Sequence, residues 1–274
     1  MQTRITNEIS RFVREDTGNR FPDGVTPYFD QPLVAFAAAS DPLFQQYKQI
    51  IGPFHRTPEE ILLNAATVII WSLPITRNTR EANRRESRYP STAWAQTRSF
   101  GENFNVSLRR HLVTWLEQQG HRAISPQLDP NWQEFPDTAV GPASSWSERH
   151  AAYAAGLGTF SLNDALITPK GIAHRLGSVI TDLTLPTSCS ERPGYRHNCL
   201  YHRNGSCGAC IKRCPVGALS HDGHDKNRCK AYVYGTITDL LSEQFSTPKP
   251  GCGLCQTKVP CEERIPAGVS SNQS

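Results

Sequence analysis

All nine cysteines of this 274-residue chain lie in its last third: Cys189, Cys199, Cys207, Cys210, Cys214, Cys229, Cys252, Cys255 and Cys261. Chance usage would scatter them, and a disulfide framework belongs to short secreted chains. One crowded segment therefore points to metal binding. The run Cys207-x2-Cys210-x3-Cys214-Pro215 narrows the metal. An iron–sulfur cubane needs thiolates converging from one tight loop. The x2 spacing turns successive sulfurs inward, and the cysteine before the proline serves the other cluster in two-cluster ferredoxins. Cys199 stands as the first ligand behind an inserted loop, because Asn204 occupies the usual position; Cys189 is the alternative. Crossed ligation then gives Cys199, Cys207, Cys210 and Cys261 to one [4Fe–4S] cluster, and Cys214, Cys229, Cys252 and Cys255 to a second. A zinc ribbon on Cys207/Cys210 and Cys252/Cys255 would leave Cys214, Cys229 and Cys261 unexplained. His197, His202, His221 and His224 are read as loop residues, since eight thiolates already satisfy two cubanes.

The remainder reads as a different kind of chain. Residues 1–188 hold no cysteine, and apolar residues make up 38% of the whole, enough for a globular core. Helices are predicted over residues 3–14, from the Thr57-Pro58-Glu59-Glu60 capping box through Ala66, over 104–119, and over 147–155 closed by Gly156. Residues 67–73, TVIIWSL, read as a strand buried on both faces. Residues 121–125 make a short strand, and 165–168 with 176–181 a strand pair joined through the Pro169-Lys170-Gly171 turn. The expected fold is α/β (α+β): an N-terminal domain with a mixed sheet over 1–188, then a bacterial ferredoxin-like two-[4Fe–4S] module over 189–265 and a disordered tail over 266–274. The polar run 77–88 is expected to be a surface loop or lid. No apolar run spans a membrane, and the polar N-terminus has no signal core or twin arginine, which places the chain in the cytoplasm. A net charge of +4 does not mark a nucleic-acid binder.

Three stretches carry a resemblance: Ala154-Ala155-Gly156-Leu157-Gly158-Thr159-Phe160, Leu166-Ile167-Thr168-Pro169, and Val179-Ile180-Thr181-Asp182-Leu183-Thr184-Leu185-Pro186. With Asp137-Thr138-Ala139 and Ser147-Glu148-Arg149, and with the cysteine run after them, they resemble the epoxyqueuosine reductase and reductive dehalogenase superfamily. That resemblance implies an oxidoreductase that holds cobalamin between an α/β domain and the clusters. The clusters would pass single electrons from an external low-potential donor such as flavodoxin or ferredoxin. It also implies Asp137 as proton donor, which requires a carboxyl kept protonated by apolar surroundings. Gly156, Leu157 and Gly158 would let backbone approach the corrin, and Asn163 and Arg175 would contact a corrin amide or a substrate anion. Where epoxyqueuosine reductases have Gly-Arg-Asp-Tyr-His, this chain has Gly101-Glu102-Asn103-Phe104-Asn105. The expected substrate is accordingly a small molecule rather than tRNA.

Overall fold

The computed structural model describes residues 1–268; from residue 269 on, the expected disordered tail lies outside the described residues. In chain order the elements are α1 (Gln2–Glu15), β1 (Leu33–Ala38), α2 (Pro42–Ile50), α3 (Pro58–Ile61), β2 (Thr67–Pro74), α4 (Arg77–Arg85), α5 (Thr92–Gln118), β3 (Ala123–Ile124), β4 (Glu134–Phe135), β5 (Ala143–Ser144), α6 (Glu148–Ala154), β6 (Thr159–Phe160), β7 (Leu166–Ile167) and β8 (His174–Thr181). The cysteine segment adds α7 (Leu200–Asn204), α8 (Ala209–Arg213), β9 (Leu219–Ser220), β10 (Gly223–His224), α9 (Lys226–Ala231) and α10 (Ile237–Phe245).

β2 is the spine of the molecule. Its β-branched and aromatic residues favour extended backbone, and every one of them is buried. Side chains alternate across the strand. Ile69, Trp71 and Leu73 pack with Ile5 and Ile9 of α1 and Leu108 and Leu112 of α5. Val68 and Ile70 face Phe44 and Tyr47 of α2 and Ala151 and Ala152 of α6. The sheet runs β1-β2-β8-β3, and each of these pairings is antiparallel. This corrects the expected mixed sheet. A continuous apolar run suits a strand covered on both faces, but helices on the two faces cover it without any parallel neighbour.

Other expectations shift for equally local reasons. The Thr57–Glu60 capping box forms, with the Thr57 amide donating to Glu60 Oε2 at 2.8 Å. Its helix nevertheless ends at Ile61, and Asn64 takes the left-handed conformation. β7 pairs with β6 rather than with β8, whose edges are taken by β2 and β3. The expected hairpin keeps only its Thr168–Gly171 turn. α5 begins twelve residues earlier than its apolar period indicates, capped by Ser91, because Thr97, Ser99, Gly101 and Asn105 supply its buried face there. Residues 77–85 are helical and not a lid. Arg80 and Arg84 reach Glu262 at 3.2 and 2.8 Å, and buried Asn83 donates to Thr257 Oγ1 at 3.1 Å. These bonds tie α4 to the end of the cysteine segment. No helix among the described residues is long and apolar enough to cross a membrane.

Candidate functional site

The cysteine segment gathers its thiols into two groups, one of which lines a cavity. Cys199 caps the start of α7, which Gly205 stops in the left-handed conformation. Cys210 lies in α8 and Cys214 directly follows it. Cys199, Cys207, Cys210 and Cys261 line one cavity together with Ile167, Ile172, Val259 and Pro260. Burial, then Cys199 and Cys207, pushes the Cys210 thiol up to about 11. Cys261 is raised by burial and by Cys210, Cys199 and Cys207. The remaining thiols gather in a second group. Burial, with Cys229 and Cys214 as its thiol neighbours, pushes Cys252 up to about 12. Cys255 is raised by burial and by Cys252, Cys229, Cys210 and Cys214, so the two groups adjoin. Cys189 lies apart, donating to the Glu191 carbonyl at 2.8 Å.

The second group is braced from outside. Asn163 Nδ2 donates to the Cys255 carbonyl at 3.0 Å. The Ala218 amide donates to Cys214 Sγ at 3.2 Å. Arg213 donates to the carbonyls of Leu254, Thr257 and Glu86. Gly253 is left-handed, and a Cβ there would land inside the Trp94 indole. No three His, Cys, Asp or Glu side chains among the described residues are spaced for a single metal ion. Two sets of four converging thiols, Cys199 buried and the others half-buried, do fit polynuclear iron–sulfur clusters, whose positive irons would offset the cost of thiolates away from water.

The residues expected to cradle cobalamin behave otherwise. Gly156 ends α6 with φ +74°, and a Cβ there would collide with Cys189. At Gly158 a Cβ would lie 2.5 Å from the Ile167 carbonyl oxygen. Leu157 is core. The glycines are therefore used by internal packing, and with Asn163 holding Cys255 these four residues do not fit a corrin cradle. Arg175 pairs with Glu102. Asp137 is exposed, on a turn closed by Thr138 and Gly141. The apolar surroundings expected of a protonated carboxyl are absent from its immediate setting. That turn borders a wide polar cleft lined by Val140, Asp164, Arg196, His221, His224 and Lys226. Lys226 Nζ donates to the Val140 carbonyl at 2.8 Å. His224 sits 3.0 Å from Asp164; burial opposes its charge, but Asp164 and Cys229 outweigh it and push its pKa up to about 9.

The sequence reading missed a charged network on α5. Glu102 accepts from Arg109 at 2.8 Å and from Arg175. Burial raises the Glu102 pKa, but the two guanidiniums prevail and hold it at about 2. Arg98, Glu102 and Arg109 are four and then seven residues apart, a spacing that places them on one helix face, and that was the available signal.

No family model matches the chain. An epoxyqueuosine reductase of Bacillus anthracis is 31% identical over 167 residues, 59% of this chain and 39% of that protein. Another, of Lactococcus garvieae (strain Lg2), is 27% identical over 172 residues, 61% of this chain and 44% of that one. The matched segments thus span less than half of those relatives. The solved epoxyqueuosine reductase of Bacillus subtilis, with its catalytic aspartate loop swung out of the active site, overlays 98% of this chain and 68% of its own at TM-score 0.55 and 18% identity. A catabolic reductive dehalogenase overlays 86% of this chain and 30% of its own at TM-score 0.53 and 15% identity. These relatives overturn the expectation that tRNA is not a partner. The curated ones are epoxyqueuosine reductases. By sequence the chain is similar to epoxyqueuosine reductases, and its fold is similar to those of epoxyqueuosine reductases and reductive dehalogenases.

Proposed function

We propose that this chain is an iron–sulfur reductase of the epoxyqueuosine reductase type, acting on an epoxide-bearing nucleoside of tRNA. Residues 1–188 would form the substrate side and residues 189–265 the ferredoxin-like electron-transfer side. The observation that carries this is the gathering of eight thiols into two adjoining sets of four. Cys199, Cys207, Cys210 and Cys261 would hold one [4Fe–4S] cluster, and Cys214, Cys229, Cys252 and Cys255 the other. Bound clusters of this kind supply one-electron transfer, at potentials set by hydrogen bonds to sulfur and by solvent exposure.

Removing an epoxide oxygen as water takes two electrons and two protons. The electrons would enter singly from an external low-potential donor protein. The chain's own part is to fix the thiols and to present the nucleoside. The Ala218 amide and Asn163 hold Cys214 and the Cys255 loop in place. Asp137 Oδ would carry one of the protons, its turn standing at the rim of the polar cleft through the Lys226–Val140 bond.

The test uses anaerobically purified protein, with cobalamin added or omitted. About eight irons and eight sulfides per chain are expected. Binding to tRNA carrying the epoxide precursor should weaken steeply with salt as phosphate contacts are lost, and reduction should yield the nucleoside without its epoxide. Stoichiometric zinc without sulfide would end the iron–sulfur assignment. Full clusters with neither binding nor turnover of that tRNA would end the substrate assignment.

A further inference from the structure

From Asp164 at the polar cleft a string of contacts leads to α5. Asp164 accepts from Arg149 through its carbonyl at 2.7 Å, and Arg149 lies within the electrostatic reach of Tyr234. The Tyr234 hydroxyl is 3.3 Å from Arg98 Nη2, the sole hydrogen bond of Arg98 among the described residues. A guanidinium carries five donors, so most of those on Arg98 are unspent. One turn along α5, Glu102 accepts from both Nε and Nη2 of Arg175, leaving the other Arg175 nitrogen free of a protein acceptor. Glu102 thus sets Arg175 beside Arg98, and the strongest influence on Arg98 is the like charge of Arg175, which holds its pKa below the ordinary value.

The local charge does not balance. Arg98, Arg109 and Arg175 gather around two carboxylates, Glu102 and Glu148, leaving one guanidinium in excess. Glu148, 3.6 Å from Arg109, is pushed by burial toward its neutral form, and neither of its oxygens has a hydrogen-bond partner among the described residues. Like charges held side by side favour the binding of an anion between them. Planar guanidinium forks match the oxygens of a phosphate in geometry.

We propose that Arg98, Arg175 and the Tyr234 hydroxyl form a recognition site for one phosphate group of the molecule that enters the cleft. Arg175 binds as a direct donor positioned by Glu102, and Arg98 supplies the opposite fork. The site deepens the proposed reductase function, on which it rests for the identity of the molecule carrying the phosphate.

Calorimetry on anaerobically purified protein tests it, with the visible cluster spectrum recorded on each sample. The probes are inorganic phosphate, a phosphate monoester (adenosine 5′-monophosphate) and a phosphodiester (a dinucleoside monophosphate). Saturable phosphate binding is expected, weakened about tenfold or more in Arg98→Gln and in Tyr234→Phe. Arg11→Gln, far away on α1, should bind as the unmodified chain does. Tighter binding of the diester than of the monoester would assign the site to a nucleic-acid backbone, and the reverse order to a small phosphorylated molecule. Because Arg98 also packs on Gly251, its variant is judged alongside Tyr234→Phe, which leaves that packing untouched. Intact clusters with no saturable phosphate binding, or with unchanged affinity in both variants, would overturn the site. Loss of the cluster spectrum in the unmodified chain would instead indict the reductase assignment.

Discussion

Single residues carry more than one duty in this chain, and neighbours decide which. Asn163 and Gly158 stand five residues apart in a stretch shared with oxidoreductases, yet one secures a cysteine loop and the other makes room for the Ile167 carbonyl. Asp137 is the opposite case, with an exposed side chain and nothing in its own turn that calls for a carboxylate. Asp137→Asn should therefore leave folding and cluster content unchanged while slowing turnover about 10²–10⁴-fold, the usual contribution of one general acid. Single-turnover kinetics with the iron content measured in parallel would show this. Normal turnover in the variant would remove Asp137 from the chemistry. The cysteines were the most legible residues in the sequence, because cluster ligation demands fixed spacings within one loop. The Arg98–Glu102–Arg175 network was not legible, since Arg175 meets the other two only when β8 is laid beside α5.

At the level of elements, the join between α4 and the end of the cysteine segment holds the two halves of the chain together. Glu262 is 2% exposed and takes Arg80 and Arg84, while Ile172 donates to the Cys261 carbonyl at 2.9 Å beside it. Removing one partner from a buried ion pair leaves the other charge uncompensated and costs about 3–5 kcal/mol. Glu262→Gln should lower the melting temperature and open residues 249–265 to protease, while Glu81→Gln, an exposed partner of Arg77, should do neither. An unchanged melting temperature for Glu262→Gln would show that apolar packing alone holds the segment. Periodicity placed α1, β2 and α6 well because their buried faces are apolar. It misjudged α4, whose buried face is polar, and the first turns of α5, where Thr97, Ser99 and Gly101 interrupt the apolar period.

Across the whole molecule, burial of histidines links stability to pH. His55 is 1% exposed, and burial, with Lys48 adding to it, lowers its pKa to about 4. Its unfolded value is near 6.5. Between those values the unfolded chain binds the proton and the folded one does not, so this stability is complete above about pH 6.5 and is lost as pH falls toward 4. The size is on the order of 3 kcal/mol. His55→Asn should flatten the decline in denaturant midpoint between pH 7 and 4.5 relative to the unmodified chain; parallel declines would show that His55 does not titrate in that window. The sequence by itself determined the capping box, the central strand and the likeness to epoxyqueuosine reductases, because each is written in local spacing or in one uninterrupted run. Only the tertiary structure decided that the sheet is antiparallel, that residues 77–85 form a clamp, that the two glycines are filled from within, and that three arginines meet around Glu102. Those outcomes depend on which segments become neighbours, and local propensity carries no information about partners a hundred residues away.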